Sequence, residues 1–166
     1  NKIVLIDGGT KEDASQLEQY IMNNGGRVHA WFITHLHSDH AGAFEIISQN
    51  PEIKIEKIYM SINSKQWHLE NDSSRVEDIE DFFEVMESKE LQQKVIEPQV
   101  NDQIKIDNLT AEILGIKNPE ITTNATNNSS MVIKIKVNHK KILFLGDTGI
   151  ESSEKLIKEQ GNKLKS

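Results

Sequence analysis

His35-Leu36-His37-Ser38-Asp39-His40 puts three imidazoles and a carboxylate within six consecutive residues. Neutral imidazoles and carboxylates are the side chains that hold zinc, iron or manganese. In an extended loop, residues two apart point the same way, so His35 and His37 can converge on one ion. Asp39 and His40, where the chain turns into a helix, point elsewhere and can serve a second ion. Two ions about 3.5–4 Å apart can clamp an in-line displacement. The plainer alternative is a His-rich surface loop, but the pattern is too rare in a chain of this composition to favour it.

The elements around the segment suit a site. Residues 28–34, Val-His-Ala-Trp-Phe-Ile-Thr, read as a strongly apolar strand, and a short helix is expected over 41–49, stopped at Asn50-Pro51. Loops at the ends of sheet strands are where α/β folds put their sites. Upstream, residues 2–7 read as a buried strand ended by Gly8-Gly9. A helix is expected over 11–24, with Thr10 as its N-cap. Residues 53–62 are strand-like. Ser73 or Ser74 caps a helix to about residue 90, with Val76, Ile79, Phe82-Phe83 and Met86 on one face and an acidic, solvated face opposite. The last third is hairpin-rich. Strands are expected over 103–106, 109–116, 131–137 and 141–145, a polar loop over 118–130, and a final helix over 151–160. Strand and helix alternate before the hairpins, which reads as one mixed α/β (α+β) domain over residues 1–166.

Composition narrows the chemistry. The 166 residues include no Cys, which excludes disulfides, cysteine-zinc sites, iron–sulfur clusters and thiol nucleophiles. With 36% apolar and 27% charged residues the chain is globular, not disordered. The net charge of −7 argues against gripping nucleic acid by charge alone. No apolar run reaches the ~20 residues of a membrane span. Gly8-Gly9 is followed by no Gly-Lys-Ser/Thr, and Ser129-Ser130 lack a nucleophile elbow, so neither a phosphate loop nor a serine hydrolase is indicated. A start at Asn1 running straight into Ile3-Val4-Leu5-Ile6 reads as a piece of a longer protein or one whose leader was removed.

His35-x-His37-x-Asp39-His40 after Ile33-Thr34 resembles the metal motif of the metallo-β-lactamase fold superfamily. Ile6-Asp7-Gly8-Gly9, Ser129-Ser130-Met131-Val132-Ile133 and Leu143-Phe144-Leu145-Gly146-Asp147 resemble three further segments of that fold, in order. The resemblance implies an αββα sandwich, truncated at the C-terminus. It would have a metal-activated water for hydrolysis and two divalent ions, zinc before manganese or iron. By it, His35 and His37 hold the first metal, Asp39 and His40 the second, and Asp147 bridges. Asp39 or Asp147 would orient or accept the proton. Asp7 stands behind the His loop and orients it. The plainer alternatives are a strand-end turn residue for Asp7 and a helix N-cap for Asp147.

Asn127-Asn128-Ser129-Ser130 looks most like the branch found in DNA-uptake competence proteins, where such a domain stands beside a membrane channel. That likeness implies a phosphodiester or nucleic-acid substrate, with the alternative of a non-catalytic module in a membrane-linked DNA-uptake assembly. It leaves a soluble domain, either cytoplasmic or on the outer face of the membrane. Two departures from the family pattern matter. The stretch Thr126-Asn127-Asn128-Ser129 has no His, and no His follows His139. Each ion is then short of a ligand, so weak metal binding and little or no hydrolysis by residues 1–166 are expected. The remainder of a longer parent chain would complete the fold, and an uncovered sheet face or edge in this piece would invite a homodimer. Of the other histidines, His29 faces a neighbour or solvent in a strand and His139 is exposed in a turn. His68 is the spare one that can lean into the cleft, and Trp67 reads as packing. Burial is expected for residues 3–6, 31–33 and 142–145.

Overall fold

Apolar runs alternate with amphipathic helices through the first hundred residues. The computed structural model, which describes residues 2–164, lays those runs side by side as parallel strands. The chain begins with β1 (Val4–Ile6), a 3-10 turn (Lys11–Asp13) and α1 (Ala14–Asn23). It continues through β2 (Arg27–Val28), β3 (Ala30–Ile33), α2 (Ser38–Ile47), β4 (Lys54–Ile55) and β5 (Ile58–Met60). Next come α3 (Lys65–Asn71), a second 3-10 turn (Ser73–Arg75), α4 (Val76–Val85), α5 (Lys89–Gln92) and β6 (Val95–Ile96). The last third is β7 (Gln103–Ile106), β8 (Leu109–Gly115), α6 (Ala125–Asn128), β9 (Val132–Val137), β10 (Lys140–Phe144) and α7 (Ile150–Leu164).

One sheet is parallel, in the order β1-β3-β5-β6, and one is antiparallel, in the order β10-β9-β8-β7. The period-2 alternation of β3 shows how they stack. Trp31 and Ile33 point to a helical layer containing Ile21 of α1, Phe44 and Ile47 of α2, and Ile79 and Phe82 of α4. Ala30 and Phe32 point the other way, onto Ala111 and Ile113 of β8 and Ile133 and Ile135 of β9. Phe32 stacks on Tyr59, with ring centroids 4.8 Å apart. On the far face of the antiparallel sheet, Leu114 and Val132 receive Leu156 of α7. The result is four layers, αββα, as expected. Among the described residues no helix is long and apolar enough to cross a membrane.

The structure departs from the sequence reading in several places. The apolar stretch 28–34 is two strands, because at His29 the chain crosses the edge of β1. There the His29 amide donates to the Ile3 carbonyl, and the Ile3 amide donates to His29 Nδ1. The stretch 53–62 likewise divides between β4, which pairs with β2, and β5, which pairs with β3. The helix expected to reach residue 90 stops at Val85 and resumes as α5, capped by Ser88. Residues 142–145 are not buried. Ile142 is 47% and Leu145 43% exposed, because β10 is an edge strand with β9 as its one neighbour in the sheet. Val4, Leu5 and Ile6 of the other edge strand, β1, are half-buried for the same reason.

Candidate metal centre

The ends of three strands meet at one place. β3 leads directly into Thr34-His35, and β1 ends at Asp7, whose left-handed backbone (φ 55°) turns its carboxylate back toward β3. That carboxylate accepts from the Thr34 amide (2.7 Å), the Thr34 hydroxyl (2.7 Å) and Nδ1 of His40 (2.8 Å). The Gly8 amide donates to the His40 carbonyl at 2.8 Å, which fixes the first turn of α2 over the end of β1. Asp7 thus ties the loop to the sheet and leaves Nε2 of His40 facing outward from this bond.

β10 brings in the third contributor. Gly146 has φ 57°, and a Cβ there would lie 2.8 Å from Ser130 Cβ and 3.1 Å from Thr34 Cβ. The missing side chain lets the chain cross the heads of β9 and β3 at contact distance. Asp147 follows at once, its amide donating to Ser130 Oγ at 3.1 Å. Its Oδ1 lies 3.1 Å from His40 Nε2, and Asp39 Oδ2 lies 3.8 Å from the same nitrogen.

His35, His40 and Asp147 each direct a ligand-type atom to one point, all within 4.8 Å of one another. The His35 ring lies 4.2 Å from that of His40 and 4.9 Å from that of His37, centroid to centroid. Thr34 donates its hydroxyl proton to Asp7, so its oxygen accepts from Nδ1–H of His35 at 3.1 Å. Nε2 of His35 is then a bare lone pair, and it is buried with no hydrogen-bond partner. Burial above all, then the charges of His40 and His37, push the His35 pKa down to about 2, so the ring is neutral, as a ligand must be. The hydrogen bond to Asp7 raises His40 above its ordinary 6.5 against the opposing effect of burial, aided by the charges of Asp7, Asp147 and Asp39. An orphaned buried nitrogen beside a second imidazole and a half-exposed carboxylate is a donor set that fits a divalent transition metal.

His37 is held from another direction. It caps α2, is 5% exposed, and its Nε2 donates to Asp72 Oδ2 at 2.9 Å, leaving Nδ1 free. A histidine whose far nitrogen is tied to a carboxylate is the usual arrangement behind a bound metal. Burial pushes the Asp72 carboxyl up, but hydrogen bonds from Thr126 and His37 outweigh it and hold the group below its ordinary 3.8. Nδ1 of His68 lies 3.0 Å from Thr126 Oγ1.

The structure therefore brings His35, His40 and Asp147 to one point. It sets Asp39 beside them at the exposed rim and His37 next to His35, and it puts Asp7 behind His40 as its holder. Asp147 is not the N-cap of α7, which starts at Ile150. The stretch 125–128 is a helical turn, α6, rather than open loop. His139 is exposed in the β9–β10 turn. Trp67 is half-buried and donates its indole N–H to the Pro119 carbonyl. Sequence reasoning missed Asp72 and Thr126. Both sit in ordinary polar stretches whose only distinguishing signal is three-dimensional. The acidic face of α4 is also less idle than expected. Asp78 accepts from the Ser38 amide at the start of α2, and Asp81 pairs with Lys11.

Residues 1–164 match the family model described as Metallo-beta-lactamase superfamily. No curated protein matches the chain in sequence. Among solved structures, a metallo-beta-lactamase with a HARLDQ motif from Cronobacter sakazakii (Enterobacter sakazakii) is 14% identical, with a TM-score of 0.51 over 85% of this chain and 52% of that one. MEM-A1, a subclass B3 metallo-beta-lactamase isolated from a soil metagenome library, is 18% identical, with a TM-score of 0.50 over 84% of this chain and 50% of that one. At such identities the likeness is one of fold. The chain spans about half the length of these structures.

Proposed function

Because the chain belongs to the metallo-beta-lactamase superfamily, we propose that it carries the metal centre of a hydrolase. The observation behind this reading is the convergence of His35, His40 and Asp147 around a buried, unpaired His35 nitrogen. His35 and His37 would hold one divalent ion, Asp39 and His40 a second, with Asp147 between them. Zinc suits the nitrogen-rich set best, with manganese or iron as the next choices. Bound there, such ions supply Lewis acidity, which lowers the pKa of water and stabilises charge that develops on the substrate.

The protein's own groups do the rest. Asp7 fixes the His40 tautomer and Asp72 that of His37, so both rings present a set nitrogen without reorganising. Asp39 is 55% exposed in its side chain and stands at the rim, where it can take the proton that an attacking water gives up. Asp147, from the opposite strand end, orients that water. We favour a phosphodiester substrate, on the resemblance of Asn127-Asn128-Ser129-Ser130 to the DNA-uptake branch, over an acyl or lactam one. The test is a metal-free preparation assayed with zinc or manganese on a chromogenic phosphodiester, a chromogenic ester and a chromogenic lactam. Metal-dependent turnover of the diester by the full-length parent, absent in its Asp147→Ala variant, is the expected result, with little or none by residues 1–166. Turnover of none of the three by this chain or its full-length parent would count against a hydrolase.

The missing His at 126–129 favours one second reading, a non-catalytic module of a DNA-uptake assembly. Its site is partial or empty, so no metal bound by the parent protein is the outcome it predicts, against two ions per chain for the enzyme.

A further inference from the structure

One buried hydroxyl touches both sides of the candidate centre. Ser130 is 1% exposed, and its Oγ lies 3.3 Å from Nδ1 of His35 and accepts from the Asp147 amide at 3.1 Å. His35 follows β3 of the parallel sheet, and Asp147 follows β10 of the antiparallel one. Backbone holds the oxygen there from two directions. The Met131 amide donates to the Thr34 carbonyl at 2.8 Å, which locks the head of β9 to the end of β3 one residue away from Ser130 and His35. From the other side comes Gly146, where a Cβ would lie 2.8 Å from Ser130 Oγ. Its bare Cα lets β10 come close enough for the next amide to reach that oxygen.

The chemistry of the contact follows from its neighbours. A hydroxyl has one proton to donate and two lone pairs that accept. Thr34 gives its proton to the Asp7 carboxylate, which can only accept, so the 3.1 Å contact between Thr34 Oγ1 and His35 Nδ1 needs its hydrogen on the nitrogen. Ser130 therefore accepts a share of the same N–H with one lone pair and the Asp147 amide with the other. Thr34 holds the imidazole from its own strand, and Ser130 holds it from the other sheet.

We infer that Ser130 is a positioning residue that couples His35 to Asp147, fixing the tautomer of one and the backbone of the other through a single oxygen. This rests on the metal-centre reading above, in which both are ligands. The core that the two sheets share is apolar and sets no direction. The Ser130 hydroxyl does set one, so the Nε2 lone pair of His35 and the Asp147 carboxylate keep their relation before any ion arrives. Outer partners of this kind are worth about 10- to 100-fold in metal affinity.

The first test uses the wild-type chain without metal. Long-range nitrogen NMR finds the His35 proton on Nδ1, with Nε2 unprotonated. The Asp147 amide exchanges slowly with solvent, although the residue is exposed. An unprotonated Nδ1, or an Asp147 amide that exchanges as fast as those of exposed turns, overturns the inference without any mutation. Ser130→Ala then removes the oxygen and keeps Cβ. In this variant the His35 Nδ1 and Asp147 amide resonances both shift, and zinc affinity, read by competition with a chelator, falls about 10- to 100-fold. A shift of one resonance without the other overturns the coupling. Wild-type zinc affinity in the variant also overturns it and leaves the metal centre standing. Both resonances shifted, with no zinc taken up by the wild type, leaves the Ser130 bridge standing and removes the metal centre.

Discussion

Asp147 Oδ1 lies 3.1 Å from Nε2 of His40, so the end of the antiparallel edge strand closes onto the first turn of α2. Each residue is positioned by its own sheet, Asp147 through Ser130 and His40 through Asp7. The candidate metal centre is therefore a joint between the two sheets, held in place by the core of Phe32, Tyr59, Ile113 and Ile133 that they share.

Removing Asp7 breaks the joint on one side. Asp7→Ala loses three hydrogen bonds to a carboxylate and leaves an alanine at φ 55°. It destabilises the protein by about 2–3 kcal/mol in denaturant titration. Asp7→Asn, which tolerates that backbone and retains an acceptor for Thr34, costs less.

Asp72 should matter to metal and little to the core. Asp72→Ala frees Nε2 of His37 and lowers zinc affinity 10- to 100-fold, about the range for lost outer partners, as read by competition with a chelator. An affinity equal to wild type would show that His37 needs no holder.

Gly42 places α2. A Cβ there would meet the Lys11 backbone nitrogen at 2.7 Å and the Thr10 carbonyl carbon at 3.0 Å. Backbone cannot swing aside as a side chain can, so Gly42→Ala pushes α2 off the 3-10 turn. The expected cost is about 1–3 kcal/mol, measured as a drop in melting temperature.

Glu45, on the helix-facing side of α2 and 2% exposed, has a pKa that burial raises from 4.5 to about 7, with Lys11 at 3.3 Å opposing. Asp81 and Asp78 add to the rise. A folded value above the unfolded one means the contribution is complete below pH 4.5 and is lost as pH climbs through 7. Glu45→Gln removes that slope. The variant matches wild type at pH 4.5 and is more stable by about 1–3 kcal/mol at pH 8. A stability difference that does not change with pH would contradict this.

The His35–His40 cluster was legible because its ligands are nearly contiguous and follow an apolar strand. Asp7 and Asp147 were legible because each ends a recognisable strand with glycine beside it. Asp72 and Thr126 were not marked in this way, since one closes α3 and the other lies in α6, and they meet only when these two elements pack together. The strand breaks at His29 and between Ile55 and Ile58 were hidden for a related reason. Residues on both sides are apolar, and only pairing to different partners divides them. The burial of β10 was overstated because its alternation is that of an inner strand, and sheet order is not written in a single strand's pattern.

The most direct measurement is a calorimetric zinc titration of the metal-free chain beside Asp147→Ala, which truncates a side chain that is 42% exposed. The account predicts weak but saturable zinc binding by the wild-type chain and at least about tenfold weaker binding in the variant. No saturable binding by the wild type, or identical isotherms for the two proteins, would contradict a metal centre at this joint.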